Sequence, residues 1–177
     1  MLFQGNCQLS DPAPFSYQII KTMTDSNPTP DTPISGGCRC GQCRFTVSRG
    51  PLFAGYCHCN ACRQRSSAPC TGFMMMDEPS FELVGETHSY RETGGSGAPI
   101  EHQRCSKCGS AIYTKLYALK NILAVPEVLL DDRQVFQPQQ HVWVSAKQDW
   151  FEINDGLMQQ PGPPKLSAEL LARLPRL

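Results

Sequence analysis

A mainly β domain is what this sequence predicts, and three observations carry the prediction. From Ile34 onward the apolar residues come in brief runs bounded by Gly, Pro, Asn, Asp or Ser. Gly (14) and Pro (15) together supply 29 of 177 residues, which multiplies turns and leaves little room for long helices. Of the 10 cysteines, eight fall in three tight clusters, a set of anchors able to hold a small β core together.

Taken in order, residues 1–33 read as a Pro/Ser/Thr-rich N-terminal extension. Asp25 to Pro33 carries three prolines, which remove donors and fix φ, so neither a helix nor an interior strand holds there. Upstream, Phe15 to Ile20 alternates like a short strand. The domain proper is expected over 34–160. Its strand candidates are Arg44–Val47, Cys70–Met76, Phe81–Val84, Ala111–Leu116, Ile122–Val125 and Val142–Val144. Met74-Met75-Met76 alternate faces on such a strand, which assigns core filling to at least one of them. Gly94 to Pro99 reads as a loop between two strands. Over 161–177, Pro161-Gly162-Pro163-Pro164 is a linker, and Ser167 caps a short C-terminal helix suited to packing or oligomer contact.

Composition excludes several classes. Sixteen basic residues balance sixteen acidic ones, which argues against a dedicated nucleic-acid binder. No apolar run approaches the roughly 20 residues that cross a bilayer. The first residues lack the basic and apolar regions of a secretory signal, so the thiols are expected reduced and the location cytoplasmic. An even cysteine count also permits a disulfide framework if the chain is exported.

The clusters are Cys38-Arg39-Cys40-Gly41-Gln42-Cys43, Cys57-His58-Cys59-Asn60-Ala61-Cys62 and Cys105-Ser106-Lys107-Cys108-Gly109. In extended backbone, positions i and i+2 point the same way, so a C-x-C pair presents two sulfurs to one ion. A C-x-x-C turn does so by curling, and Gly109 permits the left-handed backbone that follows. Zinc takes four N or S donors in a closed site and three plus an open position in a catalytic one. By count, Cys38, Cys40, Cys105 and Cys108 complete one site, and Cys57, Cys59 and Cys62 form a second with a vacancy. The pairing stays open, because Cys43 or His58 can close the second group, and Cys43 can instead join the first or be buried. Cys7 and Cys70 have no partner in sequence, and Cys70 reads as a small buried hydrophobe. Between Cys38 and Met76 stand Arg39, Arg44, Arg49, Arg63 and Arg65 with no Asp or Glu. These cations offset thiolate charge or hold an anionic substrate, with Arg63 and Arg65 the better substrate candidates and Arg49 a solvated edge.

With Gly37 to Gly41 followed by Arg44-Phe45, Cys57 to Arg63, Cys105 to Gly109, His141-Val142-Trp143-Val144, Lys147, Trp150 and Ile153 to Leu157, the sequence resembles the glutathione-dependent formaldehyde-activating enzyme family, which includes centromere protein V. The likeness runs from about Ser35 to Pro161. It implies a beta-tent fold of small antiparallel sheets carrying two zinc ions: a structural one on Cys38, Cys40, Cys105 and Cys108, and a catalytic one on Cys57, Cys59 and Cys62. The implied activity adds glutathione, as co-substrate, to formaldehyde, formally a carbon–sulfur lyase run in reverse. A diverged substrate (another carbonyl, a thioether or an activated ring) and a non-catalytic zinc module that binds a partner are the competing expectations. Cys43, Cys70 and the N-terminal extension depart from the family pattern. His58, between two ligands, is expected to point away from the metal, either toward a substrate proton or into a supporting hydrogen bond. A small-molecule substrate and a possible homo-oligomer complete the expectations.

Overall fold

The computed structural model describes residues 33–95 and 97–172. The extension with its Phe15–Ile20 strand, and Cys7, lie outside the described residues. The described chain is mainly β, with eleven strands in two sheets. The smaller sheet is antiparallel, in the order β1 (Ile34–Gly37), β2 (Arg44–Val47), β5 (Phe81–Val84). The larger runs β11 (Met158–Gln159), β10 (Gln140–Val142), β3 (Phe53–Cys57), β4 (Thr71–Asp77), β9 (Ile122–Pro126), β8 (Ala111–Leu116), β7 (Pro99–Cys105), β6 (Thr87–Thr93). It is antiparallel except at β10, which lies parallel to both β3 and β11. Between β6 and β7, where the loop was expected, Gly94 N–H donates to the Ala98 carbonyl and Gly97 N–H to the Gly94 carbonyl.

Strand alternation sorts the side chains into two apolar layers. Met74 and Met76 of β4 face one way, beside their cross-strand partners Val125 and Leu123, and meet Ile34, Phe45 and Val47 of the smaller sheet. Met75 faces the other way, with Phe53, Ile122 and Val142. All three consecutive methionines are therefore core, split between the layers. The C-terminal helix α2 (Ala168–Leu171) is capped by Ser167 Oγ, which accepts from Leu170 N, and Leu170 is buried in the second layer. That gives the helix a packing role.

A third cluster joins the sheets at one end. Cys38 and Cys43, on the turn between β1 and β2, pack with Cys105 and Ile112 from β7 and β8. Gly41 and Gly109 each follow a cysteine knuckle at φ +77° and +73°, the left-handed backbone that lets these turns curl.

Candidate metal centre

Folding brings the seven sulfurs into two groups. Within the set Cys38, Cys40, Cys105 and Cys108, and within the set Cys57, Cys59 and Cys62, the Sγ atoms all lie within 4.8 Å of one another. Two separations in the first group, Cys38–Cys40 at 3.5 Å and Cys40–Cys105 at 3.8 Å, lie just below and at the ~3.8 Å edge of a tetrahedron with 2.3 Å zinc–sulfur bonds. The donor sets fit a soft or borderline divalent ion, so two cysteine-rich groups able to hold metal are present. Among the described residues no fourth Cys, His, Asp or Glu joins the second group.

Cys43 belongs to neither set. It is fully buried beside the first group, where its backbone N–H donates to Cys38 Sγ at 3.2 Å and its thiol donates to the Glu86 carbonyl at 3.3 Å. Burial pushes that thiol up to about 12, so it stays protonated. Each set holds one sulfur well below the ordinary thiol value. Cys59 is drawn down to about 2 by hydrogen bonds from Cys57 and Cys62, and Cys108 to about 5 by Ser110. Thiols that share protons in this way are ready to exchange them for a cation.

The second group sits where β3 passes into helix α1 (Asn60–Ser66). Cys57 ends the strand on the face of the second apolar layer. Cys59 caps the helix, its sulfur accepting from Cys62 N at 3.4 Å. The same apolar cluster holds these cysteines together with Phe73, Leu116, Leu119, Trp143 and Leu166. Arg65, one turn along α1, donates through Nη2 to Cys62 Sγ at 3.2 Å and through Nη1 to Glu92 Oε1 at 2.9 Å. Glu92 also accepts from His102 Nε2 at 2.8 Å, and His102 Nδ1 meets Thr114 Oγ1 at 2.7 Å. The bond from His102 holds the Glu92 carboxyl below its ordinary value. Both terminal nitrogens of Arg65 are thus committed to protein groups. Arg63 Nη2 donates to Asn60 Oδ1 at 2.6 Å. Of the other arginines, Arg44 pairs with Asp131, and Arg49 pairs with Asp77 at 2.9 Å while largely exposed.

His58 lies on the opposite face, as alternation requires between two inward cysteines. It is fully buried, and its Nε2 meets His141 Nδ1 at 2.8 Å, while His141 Nε2 meets Asp155 Oδ2 at 2.8 Å. That bond holds Asp155 below the ordinary carboxylate value, so it accepts. His141 then donates through Nε2, and with that ring in its neutral tautomer Nδ1 accepts from His58 Nε2–H. Burial lowers His58 to about 4, so the ring is neutral near pH 7. Its Nδ1 has no hydrogen-bond partner among the described residues.

His141 and Asp155 also line a cavity of about 700 Å³ with Tyr56, Cys70, Phe151, Glu152, Ile153 and Asn154. Cys70, expected as a core residue, is half-buried on this wall, its thiol raised by burial and by Glu127. His141 stands in the late motif His141-Val142-Trp143-Val144, but neither it nor His102 carried a sequence signal of its hydrogen-bonding role. Both became visible only through strand pairing.

A sequence profile for the glutathione-dependent formaldehyde-activating enzyme matches residues 33–146. A Halomonas elongata protein named "Putative glutathione-dependent formaldehyde-activating enzyme" is 26% identical over 126 residues, covering 68% of this chain and 80% of its own. A crystal structure of a Rhodobacter sphaeroides protein superposes with TM-score 0.45 at 16% identity, over 71% of this chain and 98% of that one.

Proposed function

We propose, on the premise that this chain belongs to the glutathione-dependent formaldehyde-activating enzyme family, that it is a zinc-dependent enzyme forming or cleaving a carbon–sulfur bond between a thiol such as glutathione and a small carbonyl such as formaldehyde. The observation that carries the reading is the incomplete donor set of Cys57, Cys59 and Cys62. The complete set of Cys38, Cys40, Cys105 and Cys108 would hold a structural zinc tying the smaller sheet to the β7–β8 turn, in a domain spanning about 34–160.

A zinc ion on the three-cysteine group would supply a Lewis acid that lowers the pKa of a thiol or polarises a carbonyl. The chain's own residues set its strength. Three thiolates donate heavily, and Arg65 at Cys62 withdraws part of that charge. Phe73, Leu116, Leu119 and Trp143 share the apolar layer with these cysteines, while Cys59 and Cys62 keep partial exposure. In the addition, the thiol sulfur bonds to the carbonyl carbon and the thiol proton ends on the carbonyl oxygen.

A second reading, a less polar carbonyl or thiol as substrate, is favoured by the apolar layer the cysteines share and by the internal hydrogen bonds of Arg63 and Arg65, two of the three sequence candidates for substrate contact, the third being His58. One experiment addresses both: S-hydroxymethylglutathione formation followed by proton NMR, beside benzaldehyde and a neutral thiol, with and without zinc chelation. Acceleration over the uncatalysed addition that disappears on chelation is expected for at least one pair. Rates equal to the uncatalysed ones for both pairs would remove the enzyme reading in these two forms.

A further inference from the structure

We propose that Asp155, His141 and His58 form a positioning chain that presets Cys57 and Cys59 for metal from the opposite face of the sheet; this rests on the reading that Cys57, Cys59 and Cys62 hold a metal ion. Register is the starting point. In the parallel pair β3/β10, Tyr56 stands opposite His141 and Cys57 opposite Val142. Cys57 and Val142 face the second apolar layer, while Tyr56 and His141 face the cavity. The peptide that carries both flanking sulfurs is therefore the peptide whose middle side chain is held from behind.

The hold is specific. His58 N–H donates to the Val142 carbonyl at 3.0 Å, which fixes the backbone, and the 2.8 Å contact with His141 Nδ1 fixes the ring. Tyr56 stacks on His141 with centroids 5.0 Å apart, and Phe151 packs on His58 at 5.5 Å. Asp155 comes from the loop before β11 and orients His141 through Nε2. With His58 unable to turn, the extended run from Cys57 to Cys59 keeps both sulfurs on one face. A ligand set fixed before metal arrives binds more tightly than one that must be ordered, and losing such supporting groups weakens metal affinity by about 10–100-fold.

The cavity supplies a test that a general packing role cannot imitate. Truncation in His141→Ala opens a ring-sized space continuous with the 700 Å³ cavity, which free imidazole can enter. Imidazole can donate to Asp155 and accept from His58, as His141 does. 1-Methylimidazole can bind metal but cannot make both bonds. Zinc affinity of each group would be measured by chelator competition on the full chain, with Cys62→Ser identifying the second group's phase. The expected result is an affinity loss of about tenfold or more at the second group in His141→Ala, with the first group unchanged. Imidazole restores it and 1-methylimidazole does not.

Asp155→Ala and Asp155→Asn keep the test independent of whether His141→Ala folds. Asn retains an oxygen acceptor for His141 Nε2–H, so Asn should stay close to wild type while Ala loses affinity. Wild-type affinity in both His141→Ala and Asp155→Ala would overturn the chain, as would equal rescue by the two imidazoles. A wild type whose zinc content is unaltered by Cys62→Ser would instead overturn the underlying metal reading, and the chain with it.

Discussion

Replacing Arg65 by Met removes the charged contact to Cys62 while keeping the length of the side chain. At 3.2 Å, with an effective dielectric near 20, a guanidinium and a thiolate attract by about 5 kcal/mol. Desolvation offsets much of that, and a hydrogen bond to a charged group contributes about 1.5–3 kcal/mol net. At about 1.4 kcal/mol per decade, the second group's zinc affinity in Arg65→Met should fall roughly 10- to 100-fold. Glu92 keeps His102 in the variant, so its carboxylate is not left bare. Arg65→Lys should fall between the two, because one ammonium cannot span both Cys62 Sγ and Glu92 Oε1 as a guanidinium fork does.

The assay is zinc release to a colorimetric chelator in two phases, one for each sulfur group. Only the phase assigned to Cys57, Cys59 and Cys62 should shift. The first group is tuned by other neighbours, Cys43 N–H and Ser110, and should release as in wild type. If Arg65→Met releases zinc from the second group at the wild-type affinity, the guanidinium is a bystander and the charge argument fails. An equal shift in both phases would mean a global loss of structure and refute the local account.

Three further outcomes are expected. Cys108→Ser should lower the metal count in native mass spectrometry by one and cost about 4 kcal/mol, more than ~10 °C in Tm for a domain of this size, since the site joins two sheets; an unchanged Tm would deny the staple. Ile122→Ala, fully buried in the second layer, should cost about 2–5 kcal/mol and lower the urea midpoint with little change in slope. Burial raises Glu127 above its ordinary value, so the folded state binds its proton more tightly than the unfolded. Its stabilising contribution is present below the unfolded pKa and lost as pH rises through the folded one. Glu127→Gln should therefore be more stable than wild type near pH 7, with the gap closing on acidification in chemical denaturation; a gap that widens would reverse the sign.

The sequence made legible whatever is local. Arg44–Val47, Phe81–Val84 and Ala111–Leu116 are strands at the positions their apolar pattern marks: Phe45 and Val47 are buried on one face, Phe81 and Leu83 half-buried on one face, and Ile112 is buried. Thr87–Thr93 and Pro99–Cys105 carried no such mark: they form the polar outer hairpin of the larger sheet, mostly exposed on β6. Helix α1 escaped for the same reason, since none of its residues is fully buried and no apolar stripe exists to read. The run Val142–Val144 was cut short by Trp143, whose φ of +58° ends β10 and starts a tight turn. Cysteine spacing worked because C-x-C and C-x-x-C are local geometries, indifferent to topology.

The histidines needed topology. Eighty-three residues separate His58 from His141, and their meeting depends on β10 lying parallel to β3 in one register. Parallel neighbours cannot be joined by a tight turn, so nothing near either strand in sequence announces the pairing. The consequence of that register is severe. Because side chains alternate, a slip of one residue would turn His141 toward the sulfurs and Val142 toward the cavity, leaving His58 Nε2–H buried without its acceptor. A buried donor left unpaired costs about 1–3 kcal/mol, and the misplaced apolar and imidazole groups add to it. The three-residue pairing between β3 and β10 is therefore held in place by the same polar contacts it creates, so the sulfur group and the histidine chain behind it specify each other.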